Sequence, residues 1–313
     1  MIRLDAVTMK QLRALQSVSL HGSLTAAATA MGQTTPAIHS QIKNLEVAIG
    51  APVLVRSGDR TRMETTAAGE EMLRAGRRIE AILSHAADQI TARSTGKIGR
   101  VRLSAVSTAK YFAPRLVKML HDRCPEIDLS LLVSNREKVI ADLQNLRCDL
   151  AIMGRPPRDI EVEAEPLGPH PHGVILPPDH PLAGSNGYDP ALLVRETFLS
   201  REPGSGTRVL MQRFLDRLGE AHPEKLIEMD SNETIKQGVL AGLGVAFLSY
   251  HTVDDEVRAG RLATLTGPYL PVMRYWYLVT PRSLEQGPAS ARIAAEITAL
   301  NGVYLPKVIG VGG

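Results

Sequence analysis

A sharp break separates two helical stripes within residues 24–49 of this chain. Apolar residues between positions 24 and 31 recur at the i, i+3, i+4, i+7 spacing of one helix face. Ser23 is a favoured N-cap before them, and Gly32 is a favoured helix end after them. A second apolar stripe at positions 38, 42, 45 and 49 follows Pro36, which suits the first turn of a helix. Two short helices joined by such a tight turn predict a helix-turn-helix.

The segments on either side complete a winged form of this motif. Residues 8–20 predict an earlier helix with its own apolar stripe. After the second stripe, Val53–Val55 predicts a strand, residues 57–59 a turn and Arg60–Glu64 the return strand of a β-wing. Three arginines near the turn suit contacts with phosphates or the minor groove, namely Arg56, Arg60 and Arg62.

The charge distribution favours DNA as the partner of this first segment. The whole chain has a net charge of +3, whereas residues 1–100 hold 13 Lys and Arg against 8 Asp and Glu, a net of +5. The polar face of the second helix carries groups that can reach base edges or phosphates in a major groove. A plain three-helix packing unit with a hairpin is the alternative. The predicted DNA-binding residues of this helix and its start are Thr34, Thr35, Pro36, His39, Ser40, Gln41 and Lys43.

A long helix is predicted over residues 66–93. Apolar residues at positions 72, 79 and 86 recur every seven residues, and those at 75, 83 and 90 lie between them. This heptad-like seam predicts that the helix pairs with a second copy of itself. Pairing would also set the spacing of two DNA half-sites. The alternative is that the seam packs on the helix's own domain.

Four stretches of this first part resemble the winged helix-turn-helix of LysR-type transcriptional regulators. They are GSLTAAATAM, TPAIHSQIKNLE, LVRSG and TAAGEEML. The resemblance implies a DNA-binding domain over residues 1–65 and a dimerising linker helix over residues 66–93. The chain has Ser40 where the family often has arginine, and its wing is longer. The sequence therefore leaves open which wing arginine contacts DNA.

Strands and helices alternate from residue 100 onward, which is typical of an α/β fold. Strands are predicted at 101–107, 127–134 and 149–154, with helices at 108–123 and 136–146 between them. This βαβαβ run implies parallel strands with helices on both faces of the sheet. Ligands of such folds bind at the carboxyl ends of strands, beside helix N-termini that favour anions.

Four strand-to-helix junctions offer hydroxyls, backbone N–H groups and nearby charges to an anion. Each alone is also an ordinary helix cap, but all four lie at comparable topological positions. Together with Arg155, which could close the cleft from the other side, they predict a site for a phosphate or carboxylate. The predicted ligand-binding residues are Ser107, Thr108, Lys110, Asn135, Arg155, Glu202, Gly204, Ser205, Gly206, Thr207, Arg208, Asn232, Glu233 and Thr234.

This second part resembles one LysR-type subgroup, the regulators of Calvin–Benson–Bassham (Calvin cycle) carbon-fixation operons. The stretches that carry the resemblance are VSTAKYFAP, DLAIMGRPP, REPGSGTR and SNETIKQGVLAGLGVAFLS. It implies a two-lobed, periplasmic-binding-protein-like effector domain over residues 94–313. Lobe I is expected over about 97–164 and 270–313, and lobe II over about 165–269.

The resemblance also implies how such a protein works. Members of the subgroup are tetramers that usually activate transcription by RNA polymerase from promoter DNA. Their effectors are phosphorylated metabolites or nucleotides, such as ribulose bisphosphate, phosphoenolpyruvate or NADPH. The alternative is a LysR-type regulator of another metabolic operon, with a carboxylate effector.

Catalysis and metal binding have weaker support in the sequence. Ser205 lacks the G-x-S-x-G context of a nucleophile, and an acid–base pair of Glu202 and Glu233 is less plausible than loop capping or contacts with a ligand. His170 and His172 have no carboxylate partner nearby in sequence. We therefore expect neither an enzyme nor a metal site, and no resident cofactor.

Cysteine content and hydropathy bear on the compartment. Cys124 and Cys148 match neither a disulfide framework nor a metal spacing, which indicates a reducing cytoplasm; a redox switch is a weaker alternative. The sequence has no export signal and no apolar run long enough for a membrane span. A two-lobed binding protein without DNA function would also leave residues 1–93 unexplained.

Overall fold

The computed structural model describes residues 2–57, 62–94, 98–183, 187–219, 223–282 and 286–307. Contacts divide the chain into two units, Met1–Ala87 and Asp88–Gly313. The helix Ala67–Ser94 begins in the first unit and ends in the second. The domain and lobe boundaries given above stay predictions.

Three short helices and a hairpin open the first unit. The helices are α1 (Met9–His21), α2 (Leu24–Met31) and α3 (Thr35–Ile49), and the paired antiparallel strands are β1 (Leu54–Arg56) and β2 (Met63–Thr65). The long helix α4 (Ala67–Ser94) follows them. The predicted helix-turn-helix and the predicted long helix are both confirmed as elements of secondary structure.

Each of the first three helices begins at a capping hydroxyl and ends at a glycine. The side chains of Thr8, Ser23 and Thr34 accept hydrogen bonds from backbone N–H groups three residues further on. The glycine after each helix has the left-handed conformation, which costs a residue without a Cβ little. These local signals explain why the helix boundaries could be read from the sequence.

The apolar stripes of these helices enclose one core. Leu15, Ile38 and Leu45 are fully buried there. Leu73 of α4 packs into the same core, a contact that the predicted heptad seam did not include. Ile49, the last member of the predicted α3 stripe, is only half-buried.

The wing strands begin later than predicted. Val53 donates its N–H to the Glu46 carboxylate at 3.1 Å, and its carbonyl accepts from the N–H of Thr66 at 3.1 Å. Both backbone groups of Val53 are thus used outside the hairpin, so the ladder begins at the next residue. The return strand begins at Met63 rather than at Arg60, and residues 58–61 lie outside the described part of the chain.

Helix α4 has one buried side and one exposed apolar row. Leu73 and Ala81 are buried. Ile79, Leu83 and Ile90, all members of the predicted seam, are 40%, 53% and 71% exposed. Met72, the first member of the seam, packs against the core of the first unit instead, so the pairing of this helix with a second copy stays a prediction.

A mixed sheet of nine strands forms the centre of the second unit. In chain order the strands are β3 (Gly99–Val106), β4 (Ile127–Ser134), β5 (Leu150–Met153), β6 (Val162–Leu176), β7 (Thr197–Arg201), β8 (Lys225–Met229), β9 (Val245–Ser249), β10 (Ala263–Thr264) and β11 (Val272–Pro281). The helices are α5 (Ala113–Arg123), α6 (Arg136–Gln144), α7 (Pro190–Leu193), α8 (Gly206–Asp216), α9 (Asn232–Leu240), α10 (Asp254–Arg258) and α11 (Pro288–Ala299).

Two parallel halves of this sheet meet at an antiparallel pair. Strand β3 runs parallel to β4 and β5, and β7 runs parallel to β8 and β9. Between the halves, the long strands β6 and β11 pair antiparallel over ten residues of β11. The prediction of parallel strands, which concerned the run from β3 to β5, is thus confirmed, and the antiparallel pair of β6 and β11 joins the two parallel groups.

The first helix of the second unit also begins later than predicted. Residues Ser107–Tyr111 form a 3₁₀ turn, and α5 begins only at Ala113. Phe112 between them is fully buried against Trp276, with ring centroids 4.9 Å apart. Pro114 then occupies the first turn of α5, where its missing N–H costs little.

Both cysteines lie inside the second unit. Cys124 and Cys148 are buried, and burial raises the pKa of the Cys148 thiol to about 12. This environment suits a packing role better than a reactive thiol. None of the described helices combines the length and the apolar character needed to cross a membrane.

Candidate nucleic-acid interface and ligand cavity

The polar face of α3 is presented at the surface of the first unit. Pro36, His39, Ser40 and Lys43 are exposed, and Thr35 and Gln41 are half-exposed. Lys43 lies 3.6 Å from Glu46 on the same helix. The six predicted residues of the helix therefore share one accessible stretch, as a recognition helix requires.

Two of the predicted DNA contacts also make hydrogen bonds within the first unit. The Thr34 hydroxyl accepts from the N–H of Ala37 at 3.4 Å, so this predicted DNA contact is also the helix cap. The Gln41 amide donates to the Gln33 side chain at 2.9 Å, and the Gln41 carbonyl oxygen has no partner. Gln33 thus fixes the orientation of Gln41.

The wing is joined to the turn between α1 and α2. Arg56 and Arg62 are exposed, and the Met63 N–H donates to the Gly22 carbonyl at 2.8 Å. The φ of +73° at Gly22 favours glycine, and a Cβ there would lie 2.8 Å from the Arg62 guanidinium. The predicted contact Arg60 lies outside the described residues.

The second unit contains a cavity of about 190 Å³ beside the β6–β11 pair. Its wall is formed by the end of β3, the starts of α6 and α8, and side chains of β6, β7 and β11. The predicted residues in its wall are Ser107, Thr108, Asn135, Arg155, Ser205, Gly206 and Thr207. The wall also holds residues that the sequence reasoning missed, namely Val106, Arg136, Gly154, His170, His172, Arg201, Val209, Leu210, Arg213 and Arg274.

Five arginines line this cavity, and four of them have no carboxylate partner within 4 Å among the described residues: Arg136, Arg155, Arg213 and Arg274. Burial and then the charge of Arg155 lower the pKa of Arg136. Burial lowers the pKa of Arg155, followed by the charges of Arg158, Arg213 and Arg274. Like charges crowded without counter-charges favour the binding of an anion.

The fifth arginine is held from two sides. Arg201 is 4% exposed and pairs with Glu202 through Nε at 2.6 Å and Nη2 at 2.8 Å. Its Nη1 donates to the Asn232 side chain at 2.6 Å, and Asn232 donates to the Thr108 hydroxyl at 3.1 Å. Glu202 and Asn232 are therefore positioning residues that fix a cavity arginine, a role that no local pattern revealed.

The polar residues at the N-termini of the two helices that reach the cavity make different hydrogen bonds. Asn135 is an ordinary cap, because its side chain accepts from the Lys138 N–H at 2.9 Å. Ser205 precedes α8 but makes no capping hydrogen bond, although it is 3% exposed. Ser205, Gly206 and Thr207 all line the cavity, so the α8 N-terminus directs its dipole there.

Seven predicted residues are not in the cavity wall: Lys110, Glu202, Gly204, Arg208, Asn232, Glu233 and Thr234. Arg208 pairs with Glu228, and Thr234 bonds the Ser231 hydroxyl at 2.8 Å. Glu233 accepts from the Tyr111 hydroxyl at 2.8 Å and from Lys236 at 3.1 Å, with Lys110 at 3.9 Å. These charges are paired with other protein groups outside the cavity wall.

His170 and His172 of β6, His251 in the turn after β9, and Trp276 of β11 pack together. The ring of His170 stacks on Trp276 at 3.8 Å, and Trp276 donates to His251 Nδ1 at 3.1 Å. Burial lowers the pKa of His170 well below its usual value, that of His172 to about 3 and that of His251 to about 4. The three rings are therefore neutral at physiological pH. His170 and His172, for which the sequence predicted no metal site, also line the cavity.

Two families match the chain in separate regions. The model described as "Bacterial regulatory helix-turn-helix protein, lysR family" matches residues 9–70, and "LysR substrate binding domain" matches residues 94–300. The second region begins where the strands of the α/β unit begin. It includes every residue that lines the cavity.

Relatives match along nearly the whole chain. The HTH-type transcriptional regulator CbbR of Cereibacter sphaeroides is 56% identical over 306 residues, which cover 98% of this chain and 99% of that protein. The RuBisCO operon transcriptional regulator of Allochromatium vinosum is 39% identical over 284 residues, 91% of this chain and 93% of that protein.

A solved structure resembles the second unit. The CcmR regulatory domain of Synechocystis PCC6803 in complex with 2-PG is 34% identical, with a TM-score of 0.61, and the match covers 65% of this chain and 98% of that chain. The chain therefore belongs to the LysR family of bacterial transcriptional regulators, with a helix-turn-helix that binds DNA and a substrate-binding domain that takes an effector.

Proposed function

We propose that the protein is a metabolite-responsive activator of a carbon-fixation (Calvin cycle) operon and that its effector is a phosphorylated anion. The observation that carries the effector assignment is the set of four cavity arginines without carboxylate partners among the described residues. The operon assignment rests on relatives at 56% and 39% identity, of which the second is named as a RuBisCO operon regulator.

The DNA contacts are proposed from the exposed face of α3 and from the wing. Residues 34–43 enter a major groove, with His39, Ser40, Gln41 and Lys43 facing the base edges. Arg56 and the other wing arginines hold phosphates or the adjoining minor groove. The contact between Gln33 and Gln41 supports this assignment, because a pre-oriented amide loses less entropy when it binds an adenine edge.

Oligomerisation is proposed through the exposed apolar row of α4. Ile79, Leu83 and Ile90 lie on one side of the helix, and Ile82 beside them is 46% exposed. A row of this kind is stable in water when a second copy covers it. Two such dimers form the tetramer expected for the subgroup and place four winged helices on two DNA sites.

The effector acts by a change in the regulatory domain rather than by chemistry. We propose a binding function without catalysis, because the described cavity wall combines arginines with neutral histidines and contains no carboxylate to pair with them. Binding of the anion changes lobe closure or subunit angle, which relaxes a DNA bend that costs roughly 1–6 kcal/mol. A coupling of about 1–3 kcal/mol between the two sites is sufficient for RNA polymerase to respond.

Replacement of Gln41 tests the DNA assignment. Gln41→Ala should weaken binding of the full-length protein to its own promoter DNA by about 5- to 100-fold, the value of one bidentate base contact. Gln212→Ala is a matched control, because Gln212 is an exposed glutamine that bonds Asp216 at 3.1 Å on α8. Retardation assays at fixed salt measure both variants. Unchanged affinity and selectivity of Gln41→Ala would show that the recognition helix is assigned wrongly.

Titration with small anions tests the effector assignment. Calorimetry with ribulose 1,5-bisphosphate, phosphoenolpyruvate, 2-phosphoglycolate, NADPH and plain carboxylates should give saturable binding to at least one phosphorylated compound. Thr207→Val should weaken that binding and leave DNA affinity unchanged. Binding of plain carboxylates alone would instead favour a regulator of another metabolic operon.

A further inference from the structure

The cavity offers an anion many hydrogen-bond donors and few acceptors. Its wall holds five arginines and the α8 N-terminus, and no carboxylate is present among the described wall residues. Two of its possible acceptors are already used, because Thr108 accepts from Asn232 and Asn135 accepts from the Lys138 N–H. A ligand that brings its own hydrogen-bond donor would therefore meet few partners.

His172 supplies one acceptor of the wall whose proton can be placed. Its Nδ1 lies 2.9 Å from the carbonyl oxygen of His170. Because a carbonyl oxygen only accepts, Nδ1 carries the proton of this bond. Burial lowers the pKa of the ring to about 3, so the ring is neutral and the other nitrogen, Nε2, has a free lone pair. Nε2 is thus an acceptor that cannot become a donor by rotation, unlike a serine or threonine hydroxyl.

The His172 ring is held in place by its neighbours and lies in the cavity wall. His172 is 2% exposed and lies in the cavity wall. Its ring is 4.1 Å from that of His170 and 6.2 Å from that of Phe247. Within the described residues Nε2 forms no hydrogen bond. Because His172 lines the cavity, a ligand hydroxyl placed there would gain a hydrogen bond to a fixed acceptor.

We propose that His172 Nε2 accepts a hydrogen bond from a hydroxyl of the effector, so that the cavity selects hydroxylated phosphates, such as sugar or polyol phosphates, over phosphates that carry only anionic groups. This inference rests on the proposed function, because it requires that the cavity binds a phosphorylated anion. In this arrangement the arginines bind the charged groups of the effector. His172 accepts a hydrogen bond from a hydroxyl on the carbon chain between or beside those groups. His172 is thereby a specificity-determining residue.

Two ligand pairs that differ in their hydroxyls test this inference on the full-length protein. The first pair is ribulose 1,5-bisphosphate and pentane-1,5-diol bisphosphate, which have equal chain length and equal phosphates. The second pair is 3-phosphoglycerate and 3-(phosphonooxy)propanoate. Wild-type protein should bind the hydroxylated member of at least one pair about tenfold more tightly in calorimetric titration.

His172→Phe should reduce that preference to about twofold or less, while the affinity for the member without hydroxyls stays within about twofold. His172→Gln, which can present an amide oxygen, should keep part of the preference. His180→Phe is the control, because His180 lies outside the cavity wall and 3.4 Å from Glu196. The urea unfolding midpoint, followed by Trp276 fluorescence, reports whether each variant is folded.

The outcomes separate this inference from the proposed function. If the wild-type protein binds both members of each pair with equal affinity, or if His172→Phe weakens both members equally, the role of His172 is overturned and the anion site remains. If no phosphorylated compound binds, both the inference and the effector assignment are overturned, and the promoter-binding assay still tests the DNA function independently.

Discussion

The helix starts of the DNA-binding unit and those of the cavity use the same residue types in opposite ways. Thr8, Ser23 and Thr34 each satisfy a backbone N–H of the helix that follows. Ser205 occupies the same kind of position before α8 and caps nothing, although it is buried. A polar group with a local partner stabilises the fold, whereas a cavity side chain that does not cap its helix is available to a ligand.

The largest expected effect is a loss of stability at acidic pH. His172 and His251 are neutral in the folded unit with pKa values of about 3 and about 4, below the value of 6.5 for an exposed histidine. The unfolded chain therefore takes up protons first as the pH falls below about 6.5, and the stability present above that pH is progressively lost. At pH 5 each ring should lower the free energy of unfolding by about 2 kcal/mol.

Urea unfolding followed by Trp276 fluorescence at pH 7 and pH 5 measures this loss, because Trp276 stacks on His170 and bonds His251. His172→Phe removes one titrating ring and should make the loss smaller by about 2 kcal/mol. A free energy of unfolding that stays constant between pH 7 and pH 5 would contradict the neutral, buried state of these rings.

A smaller effect is expected from removing one unpaired arginine. Arg274→Met should weaken binding of a phosphorylated ligand by about 10- to 100-fold, the value of one charge-assisted hydrogen bond. It should not lower the unfolding midpoint of the ligand-free protein, because Arg274 repels Arg155 and has no carboxylate partner among the described residues. Calorimetric titration and urea unfolding measure the two quantities.

Arg282→Met is the matched control for that variant. Arg282 follows the same strand, is exposed and lies 3.4 Å from Glu163. This substitution should leave ligand affinity unchanged and alter stability by at most about 1 kcal/mol. If both variants lose ligand affinity equally, the effect arises from net charge and not from the cavity.

The smallest expected effect comes from exchanging the two serines for alanine. Ser23→Ala should cost about 1 kcal/mol of stability, because Ser23 accepts the Ala26 N–H at 3.1 Å, and should leave ligand binding unchanged. Ser205→Ala should change stability by less than about 0.5 kcal/mol and weaken ligand binding several-fold. The contrast between the two helix starts fails if the two serines have the same effect on stability.

Local signals account for what could be predicted. The three capped helices, the wing and the α8 start with Ser205, Gly206 and Thr207 are each encoded within a few neighbouring residues. Arg213 was missed, although a usable signal exists. It lies at i+7 from Gly206 on α8, and residues 206, 209, 210 and 213 all line the cavity with the spacing of one helix face.

Other parts of the cavity depend on pairing between distant strands. His170 of β6 lies opposite Arg274 of β11 in the antiparallel register. Neither strand has a sequence pattern that predicts which strand it pairs with, so the sequence could not place these side chains together. The same holds for the hydrogen bond between Asn232 and Arg201, which belong to elements far apart in the sequence.

The uncompensated arginines of the cavity bear on how long the protein survives in a cell. A ligand at one hundred times its Kd raises the free energy of unfolding by about 2.7 kcal/mol, which lowers the unfolded fraction about 100-fold. Proteases act on that fraction. If the cavity binds an anion as proposed, the concentration of that anion would also affect the turnover of the protein, and a cell without the effector would degrade it sooner.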